Sequence, residues 1–126
     1  VSYGQQLNIF KAQSNRYGPD WRGVIVCESR PQLDIAARDA VDALGGSYSP
    51  AGQTLHMPNG STLLFRVVSC RMEAERVFSG REFTQISWLY RPTGDHAEYL
   101  IDRARAQLRS RSVPAADWRY EYCMVR

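Results

Sequence analysis

Gly23-Val24-Ile25-Val26-Cys27 is a continuous apolar run, and an amphipathic stripe begins a few residues later at Leu33. A strand that is dry on both faces, followed at once by a helix that is dry on one, suits a largely parallel sheet covered by helices. The stripe Leu33, Ala36, Ala37, Ala40, Val41 and Leu44 has helical spacing. Pro31 suits its first turn and Gly45-Gly46 ends it. Asp34, Asp39 and Asp42 fall off the stripe and are expected in solvent.

The flanks repeat this alternation. Tyr3, Leu7, Ile9 and Phe10 predict a helix from Ser2 to Arg16, capped by Ser2 and closed by Tyr17-Gly18-Pro19-Asp20. Thr54–Met57 and Thr62–Val68 read as the two strands of a hairpin turning at Pro58-Asn59-Gly60. Arg71 to Arg76 is a short helix or loop, and Phe83 to Tyr90 is another apolar strand. Asp95-His96-Ala97-Glu98 has the pattern of a reciprocally capped helix start, with Ala97, Leu100, Ile101, Ala104 and Leu108 as the buried stripe. Trp118 to Val125 alternates as a strand, with Trp118, Tyr120, Tyr122 and Met124 on one face. The order predicts a single α/β domain over residues 1–126, a three-layer sheet with helices on both faces and a β-hairpin.

At 126 residues the chain can bury a core without staples. Cys27, Cys70 and Cys123 are odd in number and far apart, so a zinc site or a disulfide framework is not expected; each is read as a small buried hydrophobe. No apolar run approaches the ~20 residues of a membrane span, and no basic-then-apolar leader opens the chain. A soluble, intracellular protein with no membrane partner is the expectation. His56 and His96 have no Ser, Cys or acid at a catalytic spacing and are read as surface residues. The net charge is +3, and Lys11 is the single lysine among 16 basic residues. Arginine forks match phosphate geometry, although +3 alone does not establish nucleic-acid binding. Trp21, Trp88 and Trp118 could stack bases, but Trp88 lies in an apolar strand and the alternation turns Trp118 inward.

Gln53-Thr-Leu-His-Met-Pro-Asn-Gly-Ser-Thr-Leu-Leu-Phe65, Phe78-Ser-Gly-Arg-Glu-Phe-Thr-Gln-Ile86 and Tyr99-Leu-Ile-Asp-Arg-Ala-Arg-Ala-Gln-Leu-Arg-Ser110 follow one another along the chain. In that order they resemble stretches of the ATPase domain of phage large terminases, the motors that package viral DNA. Gly23 to Arg30 is similar to the strand after the phosphate-loop helix, and Ser2-Tyr3-Gly4 to the residues directly after the Walker A lysine. The resemblance covers nearly the whole chain and implies a P-loop NTPase core. Ser2 then corresponds to the magnesium-binding hydroxyl, and Arg76 and Arg81 are the candidate arginine fingers.

The chain departs from that family where catalysis would sit. Val1 stands in the lysine position with no glycine run before it, and Lys11 lies about three helical turns along. Leu89 and Tyr90 stand where two acids close the Walker B strand. An apolar side chain cannot hold a hard cation, and a tyrosine near its ordinary pKa is a poor base at neutral pH. No cofactor is expected of the chain as it stands; ATP and magnesium follow only if residues ahead of Val1 restore the N-terminal strand and phosphate loop.

Three functions are consistent with these observations. The first is a terminase-like, catalytically inactive domain of phage or prophage origin. It would bind double-stranded DNA, another packaging protein or a further partner, with Arg103, Arg105, Arg109 and Arg111 as the contact surface. The second is a trimmed but genuine large-terminase ATPase. The third is a small phage-type interaction protein that inhibits a host factor in the host cytoplasm.

Overall fold

The computed structural model describes residues 1–123. Helix α1 (Tyr3–Tyr17) leads through a 3-10 turn into strand β1 (Arg22–Cys27), and helix α2 (Arg30–Leu44) follows. Next come β2 (Ser47–Ser49), β3 (Thr54–His56), β4 (Thr62–Val67), α3 (Arg71–Phe78), β5 (Gln85–Trp88), α4 (Ala97–Arg105) and β6 (Arg119–Tyr122). The six strands form one mixed sheet in the order β2-β3-β4-β1-β5-β6. β4, β1, β5 and β6 run parallel, whereas β2 and β3 join antiparallel at one edge.

The apolar run at Gly23 becomes the centre of this sheet because it has dry side chains for both faces. Ile25 and Cys27 join the core beneath α1 and α2, together with Phe10, Leu33, Leu63 and Phe65. Val24 and Val26 point the other way, into the core beneath α3 and α4 with Phe78, Ile86, Trp88 and Leu100. Each fully buried side chain of this size contributes about 1.5–3 kcal/mol of transfer free energy. Gly23 is required by space: a Cβ there would sit 2.8 Å from Leu63 Cδ1 and 3.1 Å from the Phe10 ring. The hairpin forms as the Asn-Gly signal predicts, and Gly60 takes a positive φ of 94°. Asn59 also bonds Ser14 and Asn15, which ties the turn to the end of α1.

Some expectations needed correction. β2 was not foreseen, because Ser47-Tyr48-Ser49 carries no strand-like apolar pattern; it forms by pairing with β3. The start of α4 is not a reciprocal cap: His96 holds the N-cap position and makes no side-chain bond there. The helix also stops at Arg105, because the chain turns back to Phe83, which lies just ahead of β5 and pairs with Leu108 in an isolated bridge. Phe83 N–H donates to Gln107 O at 2.8 Å and Arg109 N–H to Phe83 O at 3.0 Å. Trp118 does not share a face with Tyr120 and Tyr122. It packs against the α1/α2 core and donates its indole N–H to Val113 O, while the two tyrosines face α3 and α4. The expected strand residues Met124 and Val125 lie outside the described residues. Cys70 is exposed at the N-cap of α3, whereas Cys27 and Cys123 are buried. Among the described residues no helix is long and apolar enough to cross a membrane.

Candidate functional site

Parallel strands deliver their carboxyl ends to one edge of a sheet, and ligands of open α/β sheets bind where neighbouring connections leave to opposite faces. Here that place lies between β1 and β5. The chain leaves β1 for α2 on one face and leaves β5 for α4 on the other. A small cavity of about 120 Å³ opens there, lined by Glu28, Ser69, Tyr90, Arg91, Thr93 and His96. It is well below the ~300 Å³ at which small-molecule pockets begin. The Tyr90 hydroxyl donates to Val68 O. Burial, reinforced by Glu28 and Glu73, pushes its pKa up to about 12. Tyr90 therefore stays protonated at neutral pH and is not a base there. Arg91 stacks on the Tyr122 ring at 4.5 Å, which fixes the rim of the cavity.

The amino end of α1 reaches the same edge, but on the opposite face. Tyr3 donates to Ala36 O of α2 at 2.6 Å. The Val1 ammonium lies close enough to the buried Cys123 thiol to oppose its desolvation, which still pushes that pKa up to about 11. Ser2 Oγ accepts from Gln5 N–H at 3.1 Å and Gln5 Oε1 accepts from Ser2 N–H at 2.8 Å. The Ser2 hydroxyl oxygen is thus engaged in a full capping box.

Leu89 directly follows β5, with its side chain in the α1/α2 core, 5% exposed, and its N–H donated to Val26 O. Gln32 of α2 donates to Leu89 O at 3.2 Å. The residues at this edge do not fit ATP and magnesium. The end of β5 offers an aliphatic side chain and a bonded phenol where oxygen anions are needed. Glu28 is exposed beside the cavity, on the far side of the sheet from Ser2. Among the described residues no three His, Cys, Asp or Glu side chains converge on one point.

The sequence-predicted arginines do not gather at this site. Arg76 is exposed in the last turn of α3. Arg81 lies at the opposite edge of the sheet, beside Arg22 and Thr62, the first residues of β1 and β4. The 15 residues of α1 alone separate the two edges by about 22 Å. Within one chain Arg81 cannot reach a ligand at Ser2, so a finger role would require action on a neighbouring subunit. Arg103, Arg105, Arg109 and Arg111 split into two groups. Arg103 donates to Ser79 Oγ and Arg105 stacks on the Tyr120 ring, so both hold α4 in place. Arg109 and Arg111 sit on the loop after α4, at the Arg81 edge. Trp21 and Trp88 are fully buried and present no stacking surface.

A polar cluster under α1 was missed by sequence reasoning. Gln85 Oε1 accepts from Trp21 Nε1–H at 3.1 Å, while Gln85 Nε2 donates to Gln6 O at 2.9 Å. Ser87 Oγ donates to Gln6 Oε1 at 2.7 Å, and Gln6 Nε2 has no partner among the described residues. The available signal was Gln85 and Ser87 alternating with Ile86 and Trp88, a period of two in a strand read as uniformly apolar.

Comparison of the chain with protein-family models, curated proteins and solved structures finds no match. The fold is α/β with a mixed six-stranded sheet.

Proposed function

We propose that the chain is a terminase-like α/β domain of phage or prophage descent that acts by binding rather than by hydrolysing ATP. Its partner is DNA, a packaging protein or another macromolecule. The observation that carries this reading is the end of β5, where Leu89 is built into the core and the Tyr90 hydroxyl is bonded to Val68 O. Phosphoryl transfer depends on positioning and on neutralising charge, and these two side chains supply neither. The terminase ancestry is supported by two further features. The Asn-Gly hairpin runs antiparallel into the parallel set, and α1 begins at the carboxyl edge with a serine at its cap.

The test is phosphate release from ATP and magnesium by the purified chain. The expected result is none above buffer. Turnover that disappears on Ser2→Ala would refute the reading. A version extended ahead of Val1 that carries a glycine-rich run ending in lysine and hydrolyses ATP would replace it with a working large-terminase ATPase.

A further inference from the structure

The amino-terminal edge of the parallel strands is chemically unlike the carboxyl edge. Two depressions adjoin there, of about 480 and about 110 Å³, and they share Arg22 and Glu82. Arg81 lines the larger one; Asp20, Arg109 and Arg111 line the smaller. Backbone pairing brings these residues together from distant parts of the chain. Arg22 is the first residue of β1, and Arg81 follows the positive-φ turn at Gly80. The bonds between Phe83 and residues 107 and 109 carry Arg109 and Arg111 to the same place.

Four guanidinium groups therefore surround two carboxylates. One pair is made, Arg109 to Glu82 at 3.5 Å. Among the described residues Arg22, Arg81 and Arg111 have no carboxylate within 4.0 Å. Their guanidiniums also make no hydrogen bond to the described residues, unlike those of Arg66, Arg103 and Arg119. The positive field extends to the half-buried Arg66: burial first, and the charge of Arg81 second, lower its pKa. Arg22, Arg81 and Arg111 lie at a strand start and in two loops, where no helix dipole accounts for the clustering of their charge.

We propose that this groove binds phosphate groups, and that its ligand is the phosphodiester backbone of duplex DNA. The arginines are spread over two adjoining depressions, so a single phosphate would meet only part of the set. A duplex presents one charge per ~1.7 Å of its axis and can meet all of it. Contacts of this kind position a duplex without reading its bases. The proposal rests on the reading of the chain as a binding module, not on terminase ancestry, so ATP turnover and DNA binding fail separately.

The test is fluorescence anisotropy of a labelled duplex of mixed sequence with the full chain, between 50 and 200 mM salt. Three free arginines give an expected log–log salt slope of about −2.7. Arg22→Ala, Arg81→Ala and Arg111→Ala are each expected to flatten the slope by about 0.9 and to weaken binding about eightfold at 0.1 M salt. Arg38→Ala, on the exposed side of α2, should leave the slope unchanged. Arg111 is exposed on a loop, so its variant reads the site even if a strand-end variant folds poorly. Pyrophosphate titrated alone separates the two sources of phosphate. If pyrophosphate binds with loss on Arg111→Ala while the duplex does not bind, the ligand is a free phosphate and the DNA assignment is wrong. Duplex binding with an unchanged salt slope in all three arginine variants, or no binding of either probe at 50 mM salt, overturns the site itself.

Discussion

Substituting Gln6 with methionine keeps the volume of the side chain nearly constant and changes only its polarity. In the native core Gln6 Nε2 is buried without a partner, while Gln6 Oε1 accepts from Ser87 at 2.7 Å and from Gln85 at 3.3 Å. Removing the orphaned amide gains about 1–3 kcal/mol, and orphaning the Ser87 hydroxyl loses a similar amount. Gln6→Met alone should therefore lie within about 1 kcal/mol of the parent. Ser87→Ala behaves differently in the two backgrounds. In the parent it deletes a made hydrogen bond and destabilises by about 0.5–1.5 kcal/mol. In Gln6→Met it deletes an orphaned hydroxyl and stabilises by about 1–3 kcal/mol. Gln85 keeps the Gln6 backbone carbonyl at 2.9 Å throughout, so Trp21 keeps its partner. Urea unfolding at neutral pH, followed by the fluorescence of the buried Trp21 and Trp88, measures all four corners of the cycle. If Ser87→Ala changes stability in the same direction in both backgrounds, the polar cluster is not coupled as described.

Three further outcomes are expected. Gly23→Ala drives a methyl group to 2.8 Å from Leu63 and should destabilise by about 1–3 kcal/mol, read as a lower urea midpoint; an unchanged midpoint would mean that Phe10 and Leu63 can yield. A thiol reagent at pH 8 should label Cys70 in the native protein and reach Cys27 and Cys123 only on unfolding, because the latter two are buried; rapid native labelling of Cys27 would contradict its position. Stability should fall as pH rises from about 9 toward 12. The folded Cys27 holds its proton up to about 12 and Tyr90 likewise, against ordinary values of 9.0 and 10.0, so the unfolded chain releases protons first. A flat stability profile over that range in urea titrations would refute the burial argument.

The elements that sequence reasoning found are those whose side chains have one destination. The stripe at Leu33, Ala36, Ala37 and Ala40 must face a core, and it does. The run at Val24 to Cys27 has no wet residue, so it takes the centre of the sheet. β2 and the end of α4 were not legible because their cause lies in remote backbone. Ser47 to Ser49 becomes a strand only through β3, and α4 stops where Gln107 and Arg109 bond to Phe83. The carboxyl edge was legible as chemistry, since Leu89 and Tyr90 could be read by type. That Tyr90 is locked on Val68 O could not be. The arginine groove was legible only in part, for a third reason. Arg81, Arg109 and Arg111 stood out in separate roles and Arg22 did not; they are far apart along the chain, and no local pattern marks them as neighbours.

The middle position of β1 sets the timetable on which the protein can assemble. Arg22 must wait for Thr62, and Gly23 for Gln85, before either flank of this strand is occupied. While the ribosome is still making the first half of the chain, the most apolar segment has helices to lie under but no strand beside it. Non-local pairing of this kind slows folding and leaves sticky intermediates. A nascent chain halted before Phe83 should therefore be captured by a chaperone that recognises extended apolar segments, and one halted after Cys123 should escape it.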